Sequence, residues 1–331
     1  MMKAAIVGLS GPALLAEEAA LLRAAPPTGV ILFSRNIEGP AQLAALMQAL
    51  RGVLSAGAVL MVDQEGGRVA RLRPPHWRAH PPAAAIGRLH ETDPDAGLRA
   101  AWLQGALIGI DCAAAGFTVA TAPMLDLHVP GASNVVGDRA FATAPDAVAA
   151  LGRACAEGLL AAGVMPVGKH APGHGRARVD SHESLPEVGA EGFDDGLVPF
   201  IANADLPWMM TAHILYTALD ADRPATLSAR VIERIIRGRI GFGGLLVSDD
   251  LGMGALSGAP AERAAAAITA GCDIALHCSG VPAETEAVLE AVPALAGAAQ
   301  ARLAAAQAKV RRSVRDTDGA ALAAERDRLL A

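Results

Sequence analysis

The chain has no long run of lysine or arginine and carries a formal net charge of -6, so it offers no electrostatic track for nucleic acid. It has no stretch of the roughly 18 uninterrupted apolar residues that a membrane-crossing helix needs, which argues against a membrane partner. Cysteine is scarce: Cys112, Cys155, Cys272 and Cys278 show no CxxC spacing and sit within apolar runs. That pattern speaks against zinc ligation and disulfides, and predicts buried free thiols in a reducing, cytoplasmic setting. No Gly/Ser linker, composition shift or internal repeat divides the chain, so one domain over residues 1–331 is the simplest organisation.

What is present is apolar: 52% hydrophobic against 19% charged residues over 331 positions is enough to bury a large core and too apolar for disorder. The start, Lys3 followed by "AAIVGLSGPALLA", loosely imitates a signal peptide. We read it as structure, because Gly11-Pro12 marks a turn and "EEAALLRAA" continues as an amphipathic helix. Short apolar runs then alternate with Ala-rich helical stretches. The runs expected as strands are 4–8, 29–33, 59–62, 117–120, 165–168, 208–212, 245–248 and 274–276. A helix is expected from a Ser228 cap, with Val231, Ile232, Ile235, Ile236 and Ile240 as its apolar stripe. Eight such units predict an α/β fold, a single (β/α)8 TIM-type barrel, with a doubly wound open sheet as the competitor. Polar residues favour the barrel: "VDQEGGR", "KH", "AH" and "SDD" fall at the ends of four different strands, as a barrel active site requires.

The densest polar stretch is "KHAPGHGRARVDSHESLP", residues 169–186. His170 and His174 have the spacing of a helical zinc motif, but Pro172, Gly173 and Gly175 break helical register, so no metal site is expected. The glycines instead describe a loop able to move, with Lys169 and His170 fixed at its strand end. Asp180-x-His182 reads as a carboxylate orienting an imidazole for proton transfer, or as a surface turn cap. In "LLVSDDLGM", one of Asp249 and Asp250 should face a pocket, since neighbouring strand residues point opposite ways, and periodicity does not choose between them. "MVDQEGGRVARLRPP" combines Asp63 and Glu65 with Arg68, Arg71 and Arg73 but lacks the GK[ST] ending of a phosphate loop. It suits a polyhydroxylated ligand, or a salt bridge that shapes the loop; Arg139 in "GDRAF" stands on the same terms.

Together these stretches resemble glycoside hydrolase family 3, and within it the single-domain beta-N-acetylhexosaminidases of cell-wall recycling. The segments that carry the resemblance are "GVILFSRNI", "VDQEGGRVARL", "GDRAF", "KHAPGHG" with "DSHESLP", "PATLS" and "GFGGLLVSDDLGM", in that order along most of the chain. Ala171 departs from the aromatic residue often found there, which touches no catalytic atom. The resemblance implies that Asp249 is the nucleophile and that His182, oriented by Asp180, is the acid/base. It further implies that Asp63, Arg71, Arg139, Lys169 and His170 hold an N-acetylglucosamine ring, with no cofactor. The expected substrate is a small carbohydrate, a muropeptide ending in 1,6-anhydro-N-acetylmuramic acid.

A histidine acid/base would not repel an anionic acceptor as a carboxylate does, so phosphorolysis is an alternative to hydrolysis. A metal-dependent barrel amidohydrolase and a sugar-binding protein without turnover are the readings from other classes. The joint presence of Asp180, His182 and Asp249 speaks against the last.

Overall fold

A computed structural model describes residues 1–331. Eight parallel strands close into a barrel: β1 (Lys3–Gly8), β2 (Pro27–Leu32), β3 (Val59–Val62), β4 (Val119–Ala120), β5 (Met165–Ala171), β7 (Trp208–Thr211), β9 (Leu245–Asp250) and β10 (Ile274–His277). The remaining two, β6 (Glu187–Val188) and β8 (Leu215–Tyr216), form a small parallel ribbon outside it. Around the barrel, β1 pairs with both β10 and β2, so no edge is left open. Each barrel strand is followed by helical structure, and the fold is a (β/α)8 TIM-type barrel, not the open doubly wound sheet.

All eight expected strands are present, with shifts at their ends that have local causes. β4 is shorter than 117–120 because Phe117 is held in the turn that closes the preceding helix, Pro94–Ala115. Gly116 closes that helix in the left-handed conformation, and the Phe117 amide donates back to Cys112 O at 2.9 Å. β5 runs on through Lys169 and His170 to Ala171, and β9 includes both acids of "SDD". The first helix, Ala16–Ala24, and the Ser228 cap form as expected, the Ser228 hydroxyl accepting from Val231 N at 3.1 Å. Beyond that cap the helix widens into a π-type segment, Ile232–Arg239, and Ile235 is half-buried while Val231, Ile232, Ile236 and Ile240 are buried. All four cysteines are free and buried. No helix is long and apolar enough to cross a membrane.

Strand alternation divides the core in two. Residues such as Ala4, Ile6, Ile31, Val59, Met61, Met165, Val167, Met210, Leu245, Val247, Ile274 and Leu276 fill the lumen, and their neighbours pack outward against the helices. Ala299, Leu303 and Ala306 of helix Gly297–Ser313 join the lumen cluster near the strand starts, closing that end and leaving the opposite mouth for ligand. Outside, the helices Pro94–Ala115 and Pro145–Ala161 make the closest helix–helix approach. A Cβ on Gly105 would lie 1.9 Å from Cys155 O, and one on Gly158 would lie 2.2 Å from Trp102 O. Neither backbone can give way cheaply. Gly158→Ala is therefore expected to destabilise the fold by about 1–3 kcal/mol, read as a lower urea midpoint. An unchanged midpoint would mean the helix pair can spread without loss.

Candidate active site

A cavity of about 340 Å³ opens at the C-terminal mouth of the barrel. Alternation along the strands decides which side chains reach it. Val59 and Met61 face the lumen, so Asp63, two further on, lies on the same side; Leu245 and Val247 do the same for Asp249. Asp250 also borders the cavity, but its Oδ1 is occupied, accepting the amides of Gly252 at 2.9 Å and Cys278 at 3.0 Å. It pins the turn after β9 to β10, whereas Asp249 lies beside His170. On β5, Lys169 follows Met165 and Val167 into the lumen. A register shift against β7 between Gly168 and Ala171 lets His170 reach the cavity as well.

Below the cavity lies an ion cluster with little water. Glu65 takes two bonds from Arg139, Nε at 2.9 Å and Nη2 at 2.8 Å, and one from Lys169 Nζ at 2.5 Å. Burial would raise the Glu65 carboxyl, but Arg139 and then Lys169 overcome it and hold it at about 2. Lys169 Nζ also donates to Thr121 Oγ1 at 2.8 Å and lies 3.6 Å from Asp63 Oδ1. Asp63 pairs with Arg71 Nη2 at 3.1 Å and accepts from the Thr121 hydroxyl. Burial again pushes this carboxyl up, and the charges of Lys169 and Arg71 keep it far below the usual carboxylate range. The Arg71 guanidinium lies over the Phe33 ring, and its buried Nε has no protein partner.

A second carboxylate, Asp126, is wholly buried beside β5. Its Oδ2 accepts the His170 amide at 3.0 Å and His170 Nδ1 at 2.7 Å, and its Oδ1 accepts the His174 amide at 2.5 Å. The other ring nitrogen of His170, Nε2, lies 3.9 Å from Asp249 Oδ2. Asp249 itself keeps 15% of its side chain exposed and takes the Asp250 amide on Oδ1 at 2.8 Å. Burial would raise its carboxyl; the neighbouring imidazoles of His170 and then His213, the Asp250 amide and Lys169 hold it below the ordinary range. His213, fully buried, bonds Thr226 Oγ1 at 2.7 Å and Asp250 O at 2.9 Å.

His182 stands at the rim with 64% of its side chain exposed, Nδ1 bonded to Asp180 Oδ1 at 2.7 Å. Asp180 also accepts the His182 amide at 2.9 Å, and these bonds hold its carboxyl low against a burial effect that would raise it. The loop that carries the pair is docked. Ser181 Oγ meets His174 Nε2 at 2.9 Å, and the amides of Ala255 and Gly254 donate to Ser181 O and His182 O, each at 3.1 Å. A Cβ on Gly254 would lie 2.7 Å from His182 O, so the segment after β9 must be backbone alone where the loop rests on it. The stretch 170–174 is not helical, and no three His, Cys, Asp or Glu side chains are grouped to hold a metal ion.

Asp63, Arg71, Arg139, Lys169, His170, His182 and Asp249 all line the one cavity, with Asp180 directly behind His182. The donors of Arg139 and Lys169 are largely committed to Glu65, so within the cavity they contribute charge more than free hydrogen bonds. Glu65, Asp126, Thr121 and His213 complete the site, Glu65 and His213 from stretches already marked by their polar residues and Asp126 and Thr121 from none. The signal for them is the rule that finds Asp63 and Asp249: a polar residue within a few positions of the end of an apolar strand.

Against known families, residues 5–313 match the glycosyl hydrolase family 3 N terminal domain. The chain is 42% identical over 297 residues to a beta-hexosaminidase of Alkalilimnicola ehrlichii, covering 87% of this chain and 84% of that one. It is likewise 42% identical over 291 residues to a beta-hexosaminidase of Methylococcus capsulatus, covering 86% and 85%. Its fold is similar to the crystal structure of NagZ from Neisseria gonorrhoeae in complex with N-trifluoroacetyl-D-glucosamine, with TM-score 0.88, 29% identity and coverage of 100% and 98%.

The buried groups make stability depend on acid in two steps. Burial and the nearby His170 hold His174 at about 4, below an ordinary histidine at 6.5, so the unfolded chain takes up this proton first and stability falls as pH drops from 6.5 towards 4. Glu65, held at about 2 against an ordinary 4.5, adds a second loss as pH drops from 4.5 towards 2. Urea midpoints measured against pH should show a shallower upper step in His174→Asn and a shallower lower step in Glu65→Gln. Slopes identical to the unaltered protein would contradict this assignment.

Proposed function

The chain belongs to glycosyl hydrolase family 3, and from that premise we propose that it is a retaining exo-beta-N-acetylglucosaminidase. The observation that carries the reading is one cavity bounded on one side by the half-buried carboxylate of Asp249 and on its rim by the Asp180–His182 pair. In the first step an Asp249 oxygen attacks the anomeric carbon while the glycosidic carbon–oxygen bond breaks, and the leaving oxygen takes a proton from His182 Nε2. In the second, Nε2 takes a proton from water, the hydroxide attacks the same carbon, and the bond to Asp249 breaks, giving overall retention. Asp180 keeps Nδ1 of His182 protonated, which leaves Nε2 for both transfers.

The cation-rich floor supports recognition of a pyranose. Asp63 offers carboxylate oxygens, Arg71 its guanidinium, and His170 its Nε2, while Arg139 and Lys169 set the charge behind them. At 340 Å³ the cavity suits a single terminal sugar with the aglycone passing out beside His182. We propose N-acetylglucosaminyl muropeptides as the substrate, the barrel as one catalytic domain over residues 1–331, and the cytoplasm as its setting, where four buried thiols stay reduced.

Three measurements test this. Asp249→Asn should abolish release of the aglycone from an aryl N-acetyl-beta-glucosaminide while the protein stays folded; near-normal turnover removes Asp249 from the nucleophile role. His182→Ala should lose about 10²–10⁴-fold on muropeptides, whose leaving group needs a proton, and far less on nitrophenyl glycosides. Equal losses on both would exclude it as the acid. With phosphate present, the sugar product should be free N-acetylglucosamine; its 1-phosphate would identify a phosphorylase instead.

A further inference from the structure

Three histidines surround the Asp249 carboxylate, and their partners differ. His174 has the Ser181 hydroxyl on Nε2 and nothing on Nδ1, and His213 has the Thr226 hydroxyl and the Asp250 carbonyl. Both are buried with no carboxylate on the ring, and burial drives both towards the neutral form. His170 alone has a carboxylate on its ring, Asp126 Oδ2 at 2.7 Å from Nδ1. We infer that Asp126 is a positioning residue for the nucleophile: of the three imidazoles it fixes the His170 ring, with Nε2 turned towards Asp249.

The geometry leaves Asp126 little other work. It is fully buried, and its remaining bonds are to the amides of His170 and His174, the two ends of the turn that leaves β5. An imidazole at 3.9 Å from Asp249 Oδ2 is too far for a hydrogen bond but close enough for a strong charge effect in a site with little water. The other charged groups facing Asp249 are already occupied. From β5, Lys169 turns its Nζ to Glu65, Thr121 and Asp63. Asp250 is tied to the amides of Gly252 and Cys278, and on the β10 side Cys278 is a thiol that burial keeps protonated. Asp63 lies on the far side with Arg71, and His182 at the rim is tied to Asp180. His170 is thus the neighbour of Asp249 whose placement is not fixed by another charged partner, and Asp126 sets it.

The test uses the whole protein. With carboxyl-13C aspartate, the Asp249 resonance, assigned by its loss in Asp249→Asn, should titrate about one pH unit higher in Asp126→Asn than in the unaltered protein. The acid limb of kcat/KM on an aryl N-acetyl-beta-glucosaminide should rise by the same amount, and Asp126→Glu should bring it back. A uniform loss of kcat/KM with the acid limb and the resonance unmoved would make Asp126 merely structural and overturn the inference. Should Asp126→Asn not fold, histidine spectra of the unaltered protein decide: the proton on His170 Nδ1 is expected in a hydrogen bond to a carboxylate, protected from exchange and shifted far downfield. A His170 Nδ1 without that proton overturns the inference. Only the kinetic arm rests on Asp249 being the nucleophile of a glycosidase, so failure of that reading leaves the two spectroscopic arms standing.

Discussion

Glu65 gathers two cations in the upper barrel, and the site is organised around that contact. Arg139 and Lys169 come from separate segments, a turn at 137–139 and the end of β5, and each would be an uncompensated buried charge without it. Glu65 offsets one of these two charges and Asp63 the other, and Arg71, tied to Asp63, leaves the cluster one net positive charge. The cluster therefore does two things at once. It fastens three segments of chain to one another, and it leaves the cavity floor positive, so that a second carboxylate at Asp249 can remain ionised a short distance away.

Much of this arrangement is legible in the sequence because strands obey a period of two. Once Val59 and Met61 are inside, Asp63 must be; once Leu245 and Val247 are inside, Asp249 must be. The sequence alone does not reveal that parity, since "LLVS" is apolar on both faces of a strand covered by helices. The barrel itself supplies it, through closure and through the lumen packing of the neighbouring strands. His170 escapes the rule altogether: it reaches the cavity beside Lys169 because of a local register shift, and no periodicity announces one.

Asp126 shows a different limit. Nothing in "PMLDLHVP" marks it as more than a residue after a short strand, and its meaning comes only from partners 44 and 48 positions away. The Asp180–His182 pair is the opposite case, since its two members are close in sequence and find each other locally. Local pairs are readable from the chain, whereas a buried carboxylate that serves two histidines at long range is a property of the fold.

The two aspartate–histidine pairs also sit in contrasting surroundings. Asp126 and His170 are buried and held by short bonds, so their arrangement is fixed and their interaction little screened by solvent. Asp180 and His182 lie at the rim, where 64% of the His182 side chain is exposed to solvent. A retaining mechanism needs one carboxylate that never takes up a proton and one group that gives and regains it each turnover. On the proposed reading, burying the first pair beside Asp249 and exposing the second meets both needs with the same two residue types. The Gly254 backbone, just beyond β9, then docks the exposed pair beside the strand that carries Asp249.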